Sequence, residues 1–208
     1  MGIIITEISR QQRRDDRYNI YTEDGFLLSL SDETIIKNSI KKGMELCEDK
    51  LEKLRRGDTF KSAKELSANY ISRGPKTRKE IFDYLLKKGI DSESAEQAIS
   101  LLEGYGYVDD EAYAKEFSRI YSKKSGSRVI RQKLMAKGIS SELAEKYSHE
   151  NHDSQQDAAA ALAEKYAKKY SDLPPIKRRQ KIYAALLRKG FSYDEASKYT
   201  NGDYDDEC

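Results

Sequence analysis

One dipeptide, Lys-Gly, returns three times after residue 60 in the same setting: LLKKGIDSESAEQA, LMAKGISSELAEKY and LLRKGFSYDEASKY. Aligned on Gly89, Gly138 and Gly190, the segments agree far beyond the glycine. Eight residues before it stand Ile81, Ile130 and Ile182, and four before it Leu85, Leu134 and Leu186. Three before it are Leu86, Met135 and Leu187, one after it Ile90, Ile139 and Phe191, and six after it Ala95, Ala144 and Ala196. Apolar residues four and five apart mark a helical face. A glycine behind that face supplies the left-handed residue that stops a helix, and the apolar residue after it packs back on the last turn. Asp91, Ser140 and Ser192 then stand where the next helix needs an N-cap. Each unit therefore carries a helix, a tight turn and a second helix, and Thr77 with Glu80 fits a capping box at the first of these.

A further helix precedes each pair. Ala63, Leu66 and Tyr70 match Ala114, Phe117 and Tyr121, then Ala163, Tyr166 and Tyr170, a stripe spaced by three and then four. Core packing with the tyrosine hydroxyls reaching water accounts for the stripe. The expected fold is mainly α. It is a tandem array of three three-helix, helix-turn-helix-like repeats over 58–105, 106–150 and 156–202, with an acidic tail at 203–208. Residues 1–57 differ. IIITEI, RYNIYT and FLLSL are β-like runs, and Asp24-Gly25 is a hairpin signal between the last two. A helix capped by Asp32 is expected through about Ile40, ended by Lys42-Gly43, and another near 45–56 ends at Gly57. This small β-hairpin and helix domain leads into the array.

Composition fits many small cores: charged residues are 36% and hydrophobic residues only 38%. No run approaches the length of a membrane span, and the short apolar start is no secretory leader. Cys47 and Cys208 form no disulfide framework, so a reducing cytoplasm is expected, with Cys47 packed in a helix. Net charge is only +2 but is segregated along the chain. Residues 117–140 hold seven cations and no acid, and 173–193 hold six cations and no acid. Residues 91–116 hold eight acids against Lys115, and 194–208 six against Lys198. Helix dipoles explain charges at the helix ends but not two acid-free stretches. Those are either solvated faces or surfaces for phosphate or an acidic protein.

The second helix of each pair opens with Ser92-Glu93-Ser94, Ser141-Glu142-Leu143 or Tyr193-Asp194-Glu195. An acid at that place repels phosphate, which argues against base reading by a recognition helix and leaves non-specific backbone contact through the first helix open. His149 and His152 lack a third ligand and read as surface residues. No phosphate-binding loop, dinucleotide fingerprint or nucleophile elbow is present. No catalytic residues, metal or cofactor are expected, which points to a binding or regulatory protein. The acidic stretch Asp109-Asp110-Glu111 looks at first like a paired-carboxylate site. It reads better as a helix start, with Asp109 as N-cap, Gly104 and Gly106 ending the preceding helix, and Tyr105, Tyr107 and Val108 packing at the junction.

GYVDDEAYAKEF at 106–117 and RVIRQKL at 128–134, followed by Lys137-Gly138-Ile139, resemble the bacterial RecX family of recombination regulators. The resemblance is strongest over about 60–150 and continues through Gly190-Phe191-Ser192-Tyr193, and the N-terminal hairpin is similar to the extension of Gram-positive members. Two features depart from the pattern: the acidic DYDDEC tail stands where longer relatives continue with helices, and Ala158 to Ala161 are consecutive alanines. The resemblance implies a curved helical monomer that binds RecA and lies in the groove of the RecA–single-stranded DNA filament. It implies inhibition of ATPase, strand-exchange and coprotease activity, some direct non-specific binding to single- and double-stranded DNA, no membrane and no cofactor. The candidate contacts are Arg78, Lys79, Arg128, Arg131, Lys133, Lys137, Arg178, Arg179, Lys181, Arg188 and Lys189. Of these, Arg128, Arg131, Lys133, Arg178, Arg179 and Lys181 are expected to matter most. The joint between repeats is expected at Gly104, Gly106, Tyr107, Val108, Asp109 and Asp110, where it sets the curvature of the array. A helix-turn-helix-like DNA-binding protein acting without RecA, and an adaptor binding proteins alone, are the alternatives.

Overall fold

The computed structural model describes residues 2–12 and 15–200; the acidic tail and the end of the third repeat lie outside them. The chain falls into two compact units, Met1–Gly74 with Ile81–Tyr107, and Pro75–Glu80 with Val108–Cys208.

The first unit opens with five short strands. β1 (Ile3–Ile4) pairs with β5 (Glu45–Leu46), and β2 (Glu7–Arg10), β3 (Arg17–Thr22) and β4 (Gly25–Ser31) form an antiparallel sheet in that order. The hairpin between β3 and β4 forms as expected, with Thr22 opposite Gly25 and Gly25 at φ +105°. IIITEI is not one strand but two, because Ile5 turns inward, fully buried, and bonds Met44 instead of continuing the ladder. α1 (Asp32–Lys37) is shorter than expected. Its N-cap is Ser31, whose hydroxyl accepts from Thr34 N–H, and it stops at Asn38 because Ser39 takes a left-handed φ of 51°.

α2 (Glu48–Ile71) runs unbroken through Gly57, where a helix end was expected. Interior glycine weakens a helix without terminating it, and Leu51 and Leu54 on one side and Ala63 and Ser67 further on are buried along its length. Cys47 is the exposed N-cap of α2, and not a packed helical residue as expected. α3 (Arg78–Lys87) and α4 (Ser92–Gly104) complete the first three-helix set, and Tyr70 of α2 stacks on Tyr84 of α3 with centroids 4.2 Å apart.

The second unit contains α5 (Asp110–Tyr121), α6 (Ser127–Ala136), α7 (Ser141–His149), α8 (His152–Lys169), α9 (Pro175–Arg188) and α10 (Tyr193–Lys198). Two cores form, one around Ala114, Ile130, Leu134 and Ala144, the other around Ala163, Ile182, Leu186 and Phe191. The stripe positions Ala63, Ala114 and Ala163 are buried and the aromatics beyond them half-buried, as the periodicity demands.

The turns obey the sequence closely. After α3, α6 and α9 the glycine takes φ +83°, +87° and +87°. In each case two backbone bonds close the helix, for example Gly138 N to Met135 O at 2.9 Å and Ile139 N to Leu134 O at 3.1 Å. This is the two-bond C-terminal motif that glycine permits. Asp91, Ser140 and Ser192 all cap the next helix, and Ser192 with Glu195 closes a capping box. The position three before the glycine differs: Leu86 and Met135 are 42% and 46% exposed, since a helix of ten residues has one buried face and this position lies off it.

Candidate functional site

The turn of one helix pair docks on the start of an earlier helix, and it does so twice within the second unit. Thr77, just before α3, donates its hydroxyl to Lys137 O at 2.6 Å. Gly126, just before α6, donates its N–H to Lys189 O at 3.0 Å. Thr77 and Gly126 both stand twelve residues before the glycine of their own segment, and Lys137 and Lys189 both stand one before theirs. The contact therefore repeats with the sequence.

Around the first joint, Glu80 accepts from Lys137 Nζ at 2.5 Å, and the Thr77–Glu80 capping box forms through bonds of 3.1 and 3.2 Å. Burial pushes the Glu80 carboxyl up, but the Lys137 ammonium and the Thr77 N–H hold it below its ordinary value. Burial likewise works against the Lys137 charge, and Glu80 and Tyr113 outweigh it, so that the ammonium is held above its usual range. The Lys79 side chain lies against Gly138, leaving no room for a Cβ there. At the second joint, Arg128 N donates to Gly190 O at 3.2 Å and its guanidinium donates to Leu187 O. A Cβ on Gly126 would land on the Gly190 carbonyl.

The acids of 109–111 prove to be structural, each with a separate task. Asp109 caps α5, accepting from Glu111 N and Ala112 N at 2.9 Å each. Asp110 accepts from Arg78 N at 2.9 Å and so also serves the start of α3. Glu111 takes Lys146 at 2.8 Å and the Tyr147 hydroxyl at 2.6 Å, and these bonds hold its carboxyl below the usual range and raise Lys146. Gly104 is the last residue of α4 and Gly106 the left-handed residue behind it, at φ +72°. Tyr105 and Tyr107 do not pack as expected: they are 65% and 67% exposed, and Val108 alone of the three is buried. Asp109→Ala should lower stability by about 1 kcal/mol, the usual effect of losing an N-cap, measurable in a urea titration.

The expected contact residues thus fall in several different settings. Arg78, Lys79 and Lys137 meet at the first joint, and Arg128 and Lys189 at the second. Arg131 pairs with Glu145 at 2.8 Å, and Lys133 lies 5.4 Å from the centroid of Tyr121. On α9, Lys177, Lys181 and Arg188 recur at helical spacing on one exposed face and make no ion pair among the described residues. Arg178 and Arg179 are half-buried beside them. His149 and His152 are both exposed, at the end of α7 and the start of α8, with no cluster fit for a metal among the described residues. The repeated joint was missed in the sequence, although the shared offset of Thr77 and Gly126 was there to be read.

Serial three-helix sets docked turn to helix start define a helical-repeat protein with much exposed charge. Family models match in chain order: the regulatory protein RecX N-terminal domain over 3–47, and the first, second and third RecX three-helix domains over 63–102, 109–147 and 153–200. The chain belongs to the RecX family. Regulatory protein RecX of Bacillus licheniformis is 33% identical over 93% of this chain and 74% of its own length. Regulatory protein RecX of Clostridium botulinum is 33% identical over 91% of each. A crystal structure of regulatory protein RecX superposes with a TM-score of 0.70 at 27% identity, covering 98% of this chain and all of the other. RecX from Lactobacillus salivarius gives 0.65 at 30% identity over 70% of this chain and 96% of that one. No helix among the described residues is long and apolar enough to cross a membrane.

Proposed function

We propose that this protein binds RecA and the RecA–single-stranded DNA filament as a monomer, without a cofactor, and restrains the filament's ATPase, strand-exchange and coprotease activity. The observation that carries the reading is the succession of four RecX domains in chain order, over 3–47, 63–102, 109–147 and 153–200. The α9 stripe of Lys177, Lys181 and Arg188 supports it, since unpaired cations on one helix face are free to meet phosphates or an acidic protein. Arg128 is less suited to a first test, because reversing its charge would also break the bond to Leu187.

The test is ATP hydrolysis by RecA on single-stranded DNA as the protein is titrated. Wild type should suppress it, less strongly as salt rises. Lys181→Glu with Arg188→Glu should raise the half-inhibiting concentration about tenfold while leaving the circular dichroism spectrum and melting point unchanged. Equal inhibition by the folded double variant would remove α9 from the interface. Tight sequence-dependent duplex binding with no effect on hydrolysis would favour a DNA-binding protein acting alone, and neither effect would leave a protein adaptor.

A further inference from the structure

The N-terminal unit holds an open groove of about 460 Å³ between α1 and the stretch of α2 from Lys50 to Lys64. Lys50, Lys53, Gly57, Lys61 and Lys64 line it from α2. Their spacing of three, four, four and three places them on a single stripe of the helix. Lys37, at the last turn of α1, faces them across the groove. The sole acid among the lining residues is Glu33, and it is already bound to Lys61 at 2.7 Å. Lys37, Lys50, Lys53 and Lys64 make no ion pair among the described residues, so the groove carries an excess of positive charge that Glu33 offsets only in part. Like charges gathered in this way repel one another.

Gly57 is a second, independent observation. It sits in the middle of a 24-residue helix, where glycine weakens the helix relative to alanine. Its φ is not in the left-handed region, and a Cβ there would meet no atom within 4 Å. Neither conformation nor packing within the chain asks for glycine. A ligand approaching the helix backbone at the centre of the lysine stripe would. Phe60 lies beside it, its ring 5.1 Å from Lys64 Nζ, and offers an aromatic surface inside the basic groove.

We infer that this groove binds the phosphodiester backbone of single-stranded nucleic acid, with Phe60 placed to stack on a base. The stripe from Lys50 to Lys64 spans roughly 21 Å of helix, room for several nucleotides of one strand. Ammonium point charges suit the successive phosphates of such a strand. The site lies in a different unit from α9 and needs no RecA, so it stands or falls apart from the proposed inhibition.

The experiment is fluorescence anisotropy of a short labelled oligothymidylate with the full chain, in the absence of RecA, over a range of salt. Four proteins are compared: wild type, Lys50→Glu/Lys53→Glu/Lys64→Glu, the α9 double variant, and the combination. The triple change should raise Kd at least tenfold in both backgrounds and flatten the log–log salt slope by about two. Gly57→Gln keeps every charge; it should raise the melting temperature and still weaken binding severalfold. Unchanged Kd and slope in a folded triple variant, or unchanged binding by Gly57→Gln, would overturn the inference. Displacement of the oligonucleotide by a nucleoside triphosphate or by polyglutamate at matched charge would overturn it too, assigning the groove to a free nucleotide or an acidic protein.

Discussion

Replacing Asp58 with alanine is expected to destabilise the N-terminal unit by about 3–5 kcal/mol, the range for removing one partner of a buried ion pair. The residue is 4% exposed and stands on α2 at the meeting of β4, α1 and β3. One carboxylate oxygen takes Arg17 at 2.8 Å; the other takes Ser31 N at 2.8 Å and the Thr34 hydroxyl at 3.0 Å. Alanine would strand the Arg17 guanidinium, itself only 15% exposed, and leave the Ser31 N–H without an acceptor at the cap of α1. A fall in melting temperature on the order of ten degrees follows for a chain of this size. Asp58→Asn, which keeps acceptors for Ser31 and Thr34, should lose less. Burial pushes the Asp58 carboxyl up, but Ser31, Arg17 and Thr34 outweigh it and hold it below its ordinary value. The unfolded carboxyl binds its proton more readily, so this stability is full above about pH 4 and is lost as pH falls through the depressed native value. A melting temperature that is flat from neutral pH to pH 3 would contradict that assignment.

Gly126→Ala and Gly190→Ala should be the most damaging single-methyl changes in the second unit. Gly126 has an ordinary extended backbone, φ −78°, so its replacement tests steric approach alone. The added Cβ would meet the backbone of Gly190 and Phe191, which cannot swing aside as a side chain can. Overpacking of that kind costs about 1–3 kcal/mol. Gly190→Ala adds left-handed strain at φ +87° to a clash with Val129, and about 3–5 kcal/mol is expected. Gly138→Ala brings its Cβ against the Lys79 Cβ, which is fixed to its own backbone, at the same φ, and should be costly too. Hydrogen exchange gives the sharper readout: the Gly126 and Arg128 amides, which bond Lys189 O and Gly190 O, should lose protection first. Wild-type melting and exchange in Gly126→Ala would mean that the joint does not form in solution.

The joints also explain why charge was an incomplete guide. Seven cations without an acid over 117–140 read as either a solvated face or a surface for phosphate or an acidic protein. Arg128, Arg131 and Lys137 are each engaged within the fold, by a carbonyl, by Glu145 and by Glu80. Their partners lie far along the chain, 59 residues away for Arg128 and 57 for Lys137, where no local pattern reaches. The lysine groove was hidden by intervening acids. Lys37 stands on one helix and Lys50 to Lys64 on another, and the count of charges in any one window was unexceptional there because Asp49, Glu52, Glu65 and others intervene on the outer faces of α2.

What the amino-acid sequence determined by itself was most of what closes over a few residues, the cap and end of α1 excepted. The Lys-Gly stops, the Asp91, Ser140 and Ser192 caps and the β3–β4 hairpin all depend on hydrogen bonds between near neighbours and on the φ that glycine permits. These features recur in step with the repeat and so could be read from it. Tertiary structure alone decided which breaks were real and which charges were free. Gly57 did not end a helix because buried residues on both sides of it hold α2 together as one rod. Ile3–Ile4 found Glu45–Leu46 rather than a neighbouring strand, and Asp58 became an anchor because Arg17 and Ser31 were folded onto it. The physical reason is common to all three: burial and pairing depend on what distant segments bring, and that is settled only when the chain has packed.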